Sequence, residues 1–465
     1  VTNKQAALVE DTFERALGYI RTRVCASADS SSKIAIAYSG GLDSSALLHL
    51  AQAYAATHGI ALFAFHIHHG LSPHADAWLA HCRRECERLG ISFDVRRVEL
   101  ARKDKSGIEE AARVSRYMAL GELCRLHHIP LLLTAHHLDD QAETVLLQLM
   151  RGSGVAGLSG MDTVNAAPDL LGDARSLMGR PLLAIKRTEL ADLVADRAIC
   201  YVDDESNLDT RYARNALRHG VMPALAEAFP GFQQRFARTA RHAQSAQRLL
   251  IELGAQDLAR CLDGVCLDIR RVRQLSSDRI DNLLRYWFGT RGVRMPSTAW
   301  LSEMRAQLLE AKADAQLCVT HADCQIRRHR DRIFLTPRLE ENLADVLPRN
   351  FRWSGEEQMH FAEYRGVLFF EMAEQGLDVE WLRGRDLQIN YRQGGERLKP
   401  APNRPTKSLK YHYQALDIPA WERERLPLVS AGKDLLFAAG IGMDCHHVAA
   451  GTGLHIRLHW QAAGA

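Results

Sequence analysis

Six consecutive residues, Ser39-Gly40-Gly41-Leu42-Asp43-Ser44, have the types and order needed to hold a polyphosphate. They follow an apolar run, Ile34–Tyr38, and open a helical pattern from Ser44 to His58 in which Leu47, Leu50, Ala51 and Tyr54 fall on one face. The hexapeptide therefore reads as a strand-to-helix turn. Its glycines admit backbone conformations closed to other residues and let an oxyanion approach the chain. The helix start adds free N–H groups and the positive end of the helix dipole. Unlike a P-loop, the turn has no lysine for terminal phosphates; it carries Asp43 instead. A carboxylate beside a polyphosphate calls for a cation between them, so Mg²⁺ on Asp43 is expected.

A second stretch, Thr134-Ala-His-His-Leu-Asp-Asp-Gln-Ala-Glu-Thr144, carries acid–base side chains. His136 is expected to end a strand, and Asp139 or Asp140 to cap the next helix. Asp140 and Glu143, three apart, would share a face directed at the strand ends. On spacing alone, an ordinary cap with hydrogen-bonded histidines accounts for this stretch as well as a catalytic site does.

These segments need a scaffold. Strands at 34–38, 60–67, 91–98 and 130–134 alternate with helices at 44–58, 74–89, 108–127 and 140–150, with Gly59 and Gly90 ending the first two. That alternation predicts an α/β fold: a Rossmann-like parallel sheet with helices on both faces. The segments 39–44, 66–70 and 134–140 then fall at the carboxyl ends of strands, where such sheets bind ligands. The expected division is a catalytic domain at 1–220, a mainly helical domain at 221–340, and a small α+β C-terminal domain at 351–465. In the middle part, helices are expected from Phe232 to Leu253 and at 277–288 and 297–312, a short hairpin at Cys318–Arg332, and a linker at 335–350.

Composition excludes several classes. With 46% apolar and 25% charged residues the chain is neither disordered nor fibrous. No apolar stretch approaches the ~20 residues of a membrane span. Ten cysteines in 465 residues, with no Cys-x-x-Cys, are too dilute for a disulfide scaffold, and Cys82 and Cys86 read as buried thiols. With acidic residues at 10, 11 and 14 and no signal-like apolar core, a cytoplasmic protein is expected. The net charge of +3 is uninformative, but the segment Tyr391–Tyr413 places six basic residues against Glu396. Arg392, Arg397, Lys399, Lys407 and Lys410, interleaved with Tyr391, Tyr411, His412 and Tyr413, suit an RNA backbone and unstacked bases. A solvated loop is the plainer reading of that segment.

The turn resembles the SGGxDS signature of the N-type ATP pyrophosphatase (PP-loop) superfamily. Further motifs narrow the resemblance: Phe65-His-Ile-His-His-Gly-Leu-Ser72, Gly107-Ile-Glu-Glu-Ala-Ala-Arg113-Val-Ser-Arg116-Tyr117, the 134–144 stretch running on to Arg151-Gly-Ser-Gly, and Arg180-Pro-Leu-Leu. They continue with Asp204-Glu-Ser-Asn207, Arg214-Asn215-x-x-Arg218, Arg392-x-Gly-Gly-Glu-Arg397, and Lys407-x-x-Lys410 through Trp421-x-Arg423. In this order and nearly end to end, the set is similar to that of the tRNA(Ile)-lysidine synthetase family. The resemblance implies that ATP adenylates C2–O of the wobble cytidine in a CAU-anticodon tRNA(Ile), and that free lysine then displaces AMP. It implies ATP and Mg²⁺ at Ser39, Gly40, Gly41, Leu42, Asp43 and Ser44. It also implies nucleotide or base contacts by Arg113 and Arg116, and an active site lined by Asp43, His136, Asp140 and Glu143. The C-terminal cations would bind tRNA, and a monomer or homodimer is implied. The alternative is another PP-loop tRNA-modifying enzyme, one that thiolates an anticodon base. Such an enzyme would normally add Cys-x-x-Cys or a persulfide-bearing loop, and neither is evident.

Overall fold

The computed structural model of the chain describes residues 2–25, 33–70, 72–98, 108–173, 175–203, 213–311, 317–338 and 346–462. The expected motif Asp204–Asn207, Gly107 and linker residues 339–345 lie outside them. Two compact units are present, Val1–Ile251 and Glu252–Ala465.

The first unit opens with helix α1 (Thr2–Cys25), followed by β1 (Lys33–Ala37), α2 (Leu42–His58), β2 (Ala61–His68), α3 (Ala75–Leu89), β3 (Ser92–Arg97), α4 (Ile108–Leu126), β4 (Leu131–Leu133) and α5 (Leu138–Met150). Short elements follow: α6 (Val155–Leu158), β5 (Val164–Ala166), α7 (Pro168–Leu171), β6 (Leu177–Gly179), α8 (Arg187–Asp196), α9 (Ala213–Ala216), a π-helical turn at Leu217–Val221 and α10 (Met222–Ala228); next comes the 30-residue α11 (Phe232–Cys261), whose residues up to Ile251 belong to this unit. The sheet order is β3-β2-β1-β4-β6-β5, parallel except for the β5–β6 pair.

Right-handed crossovers decide which face each helix covers. Strand order runs one way from β1 through β2 to β3, then turns back past β1 to β4. Helices α1, α2, α3 and α8 pack on one face around Ile36, Leu47, Leu48, Cys82, Cys86 and Leu190. Helices α4 and α7 cover the other around Phe65, Leu120, Leu123 and Leu171. The reversal leaves a crevice beyond the carboxyl ends of β1 and β4. The expected βαβ framework is therefore present, with boundaries within two residues at most elements.

The second unit holds more sheet than its helical periodicity suggests. Helices Ser277–Thr290 and Thr298–Glu310 pack with a five-stranded sheet to which the expected hairpin contributes three strands, Cys318–Thr320, Cys324–His329 and Arg332–Pro337. The last strand takes residues 335–337 that composition placed in a linker. Arg328, buried in that sheet, donates to the carbonyls of Leu308 (2.8 Å) and Ala311 (2.6 Å), closing the end of the preceding helix. Farther on, the long strands Gly366–Asp378 and Ala449–Ala462 pair antiparallel, beside a second five-stranded sheet and the core around Phe361, Leu387 and Phe437.

Candidate active site

The turn after β1 has the geometry its residues predict. Tyr38 N–H donates to Phe65 O (2.8 Å), which ties the start of the turn to β2. Gly40 lies at φ +88°, and an added Cβ would stand 2.8 Å from Cys82 Sγ and 3.1 Å from Val202 Cγ2, so no larger residue fits without displacement. Gly41 is the extended N-cap of α2 and offers no side-chain cap. Ser44 Oγ accepts from Gly40 N–H (3.1 Å), donates to Gly41 O (3.0 Å) and lies 3.0 Å from Ser39 Oγ. These bonds hold the loop open around the first turn of α2. Burial pushes the Cys82 thiol up to about 12, so behind the turn it is packing material and not a nucleophile.

Asp43 sits in that first turn. Its Oδ1 is buried without a hydrogen-bond partner; Arg187 Nε lies 3.7 Å from Oδ1 and His137 Nε2 3.7 Å from Oδ2. A lone carboxylate oxygen with phosphate oxygens and water as co-ligands suits Mg²⁺, which keeps several waters and takes few protein ligands.

At the start of α5 the cap differs from the expectation. His137, not Asp139 or Asp140, is the N-cap: its Nδ1 accepts from Asp140 N–H (3.3 Å), and Asp140 Oδ2 accepts from His137 N–H (3.1 Å). The imidazole reaches the N3 amide as a capping carboxylate would, which frees Asp139 to bond elsewhere. Asp139 Oδ2 accepts from the Arg187 backbone N–H (2.9 Å) and Oδ1 from Gln233 Nε2 (3.1 Å).

Asp140 and Glu143 do share a face, and both meet Arg218. Arg218 Nε and Nη2 donate to Glu143 Oε1 (2.8 Å) and Oε2 (3.0 Å), and Nη2 also donates to Asp140 Oδ1 (3.1 Å). Arg214 Nε lies 3.3 Å from Glu143 Oε2, and its Nη2 donates to Thr144 Oγ1 (2.9 Å). Arg218 is carried on the π-helical turn, a distortion that gathers at functional sites. Burial would raise the Asp140 carboxyl, but His137, His136 and the donated N–H hold it below the usual carboxylate range. Burial pushes Glu143 up, against the pull of Arg218. The pairing of these carboxylates with Arg214 and Arg218 is invisible to spacing, because some 75 residues separate the partners. The only signal was two arginines one helical turn apart.

His136 points elsewhere. Its Nδ1 lies 2.9 Å from Thr134 Oγ1, and burial depresses its pKa to about 3 despite nearby Asp140, with Arg180, Arg214 and Arg113 adding to the shift. The ring is therefore neutral at pH 7. Below the unfolded value of ~6.5 the unfolded chain takes up a proton that the folded site refuses. This residue's contribution to stability is full above that pH and fades as pH falls toward about 3. We expect the His136 ring-proton resonance to stay flat between pH 5.5 and 8 in an NMR titration; a midpoint near 6.5 would show that the ring is solvated.

The predicted nucleotide arginines lie on α4. Arg113 stacks over Tyr117 at 5.2 Å, and Arg116 Nε donates to His69 Nε2 (3.1 Å) at the end of β2. Burial, then Arg116, lowers His69 to about 4. Arg180 is buried, with Nη1 donating to Asp162 O and Asn165 Oδ1, both at 2.7 Å. In the second unit, Arg397, Lys407 and Lys410 are exposed and Arg392 and Lys399 half-buried. Of the interleaved aromatics only Tyr411 is exposed, with Lys407 Nζ 5.5 Å from its ring, while Tyr391 and Tyr413 are core. The segment is thus a cationic surface with one stacking ring, not the aromatic platform its composition suggests.

A parallel sheet whose crevice holds this lysine-free glycine turn defines the PP-loop class, and residues 10–225 match the PP-loop domain model. Two further models match, the TilS substrate binding domain over 267–334 and the TilS substrate C-terminal domain over 387–460. The chain belongs to the tRNA(Ile)-lysidine synthase family. It is 41% identical over 432 residues to the tRNA(Ile)-lysidine synthase of Ralstonia nicotianae, covering 91% of this chain and 92% of the relative. It is 40% identical to that of Burkholderia pseudomallei (92% and 93% covered) and 39% to that of Alkalilimnicola ehrlichii (88% and 89%).

Proposed function

We propose that the protein joins free lysine to C2 of the wobble cytidine of a CAU-anticodon tRNA(Ile), converting ATP to AMP and pyrophosphate and changing the codon read from AUG to AUA. The observation that carries this reading is the 41% identity extending over 91% of the chain. No helix among the described residues is long and apolar enough to cross a membrane. A cytoplasmic monomer or homodimer fits this reading.

In this reading Ser39, Gly40, Gly41, Leu42 and Ser44 present backbone and hydroxyl groups to the phosphates, and Asp43 would hold Mg²⁺, which would supply positive charge beside them. Arg113 and Arg116 contact the nucleotide or the reacting base. The cytidine C2 oxygen attacks the α-phosphorus, and the bonding pair of the α–β bridge leaves with pyrophosphate. AMP then gives C2 a leaving group, and the lysine ε-amine displaces it. Presenting that amine neutral at pH 7 costs about 4–5 kcal/mol, from its pKa near ~10.4. Asp140, with 13% of its side chain exposed against 1% for Glu143, is the carboxylate an incoming ammonium meets first. Glu143 fixes Arg218. Neutral His136 serves as a hydrogen-bonding group.

The test is incorporation of labelled lysine into a tRNA(Ile) transcript with ATP and Mg²⁺, with one AMP formed per lysine. Acceptance of sulfur or ammonia in place of lysine would favour the thiolating or amidating PP-loop enzymes instead.

The cationic surface carries a separate prediction. Truncation at residue 385 would strip the strand Gly366–Asp378 of its partner Ala449–Ala462, so charge removal is the cleaner probe. Replacing Arg397, Lys407 and Lys410 together by alanine should weaken tRNA binding and lower the slope of log K against log salt by about 2–3. An unchanged slope would take this surface out of the tRNA interface.

A further inference from the structure

We propose that Arg187, outside the glycine turn, binds the pyrophosphate end of ATP and holds it as the α–β bond breaks, with Asp139 as its positioning residue. This rests on reading residues 39–44 as the ATP site.

Arg187 is the first residue of α8, and its backbone N–H is pinned to Asp139 Oδ2 (2.9 Å). Asp139 is in turn held by Gln233 from the start of α11, so one carboxylate ties together the beginnings of α5, α8 and α11. The arginine backbone is thereby fixed beside the phosphate turn. Its side chain is not: it is 49% exposed, and Nε stands 3.7 Å from Asp43 Oδ1, too far for a hydrogen bond. That oxygen has no other hydrogen-bond partner. The neighbouring arginines are committed elsewhere, Arg214 and Arg218 to the α5 carboxylates and Arg180 to Asp162 and Asn165.

An oxyanion entering the turn offers Arg187 a shorter, charge-assisted bond than its present contact with Asp43. The guanidinium fork matches the paired oxygens of a β- or γ-phosphate. The α–β bridging oxygen of ATP leaves as a terminal oxygen of pyrophosphate and gains charge as its bond to the α-phosphorus breaks. A cation at the mouth of the turn therefore stabilises the leaving group more than it stabilises AMP.

Calorimetric titration of the full-length chain with Mg²⁺-pyrophosphate and, separately, with AMP tests this. In Arg187→Ala, pyrophosphate affinity should fall roughly tenfold or more while AMP affinity stays within about twofold. Arg187→Lys, which keeps the charge but loses the fork, should lie between. Asp139→Asn, leaving Arg187 in place but loosely held, should lower pyrophosphate affinity by a smaller factor. Equal pyrophosphate affinity in wild type and Arg187→Ala, or equal losses for both ligands, would overturn the assignment. Wild type binding neither ligand would instead reject residues 39–44 as the ATP site.

Discussion

Asp43→Ala is expected to lower the rate of ATP-dependent adenylation by about 10³-fold or more while tRNA affinity changes by less than about twofold. The size follows from what one charge-neutralising group contributes when charge accumulates on phosphate oxygens, commonly 10²–10³ for a single preorganised interaction and more when a metal site goes with it. The selectivity follows from position, since Asp43 is in the first turn of α2, inside the crevice at the strand ends. Its buried Oδ1 makes no hydrogen bond and has only a long contact to Arg187, so the fold should survive. Single-turnover formation of AMP with tRNA(Ile), alongside filter binding of the tRNA, separates the two effects. Activity within tenfold of wild type would remove Asp43 as the metal ligand.

Arg218→Ala should cost about 3 kcal/mol of stability at pH 7, near the low end for breaking a buried pair because Arg214 still faces Glu143. The cause is a carboxylate with 1% of its side chain exposed left without its two-pronged partner. The pH dependence has a definite sign. Burial already raises the Glu143 carboxyl, and removing Arg218 raises it further. Protonation then relieves the variant as pH falls, so the gap from wild type should narrow toward pH 5. Arg218→Ala/Glu143→Gln should recover at least half of the loss, because the uncompensated charge is gone. Urea unfolding of wild type, Arg218→Ala, Glu143→Gln and the double variant at pH 7 and pH 5 measures all of this. A single-variant loss below about 0.5 kcal/mol would mean that Glu143 is solvated and that Arg218 is not its counter-ion.

Much of the scaffold was legible because its signals are local. Strand and helix alternation from 34 to 150, glycines after helices, and a glycine turn between strand and helix each depend on residues a few positions apart. The C-terminal part was read less well. Two prolines and mixed charge mark 335–350 as a linker, so composition took the last residues of a strand in a five-stranded sheet for a connection. The aromatic reading of 391–413 failed for a related reason: composition cannot tell that Tyr391 and Tyr413 face a core while Tyr411 faces solvent.

The chain by itself determined the turn at 39–44, because the requirement for glycine at a positive φ and for a carboxylate in the first helical turn is written in consecutive residues. It determined equally that Asp140 and Glu143 share a helical face, since a spacing of three is geometry. Only the tertiary structure decided what meets that face. His137 takes the cap and releases Asp139 to fix Arg187, while Arg214 and Arg218 arrive from some 75 residues away to neutralise the carboxylates. Burial then sets His136 neutral. Those outcomes depend on which charges fall within a few ångströms once water is excluded, and Coulomb energies between distant residues leave no trace in local spacing.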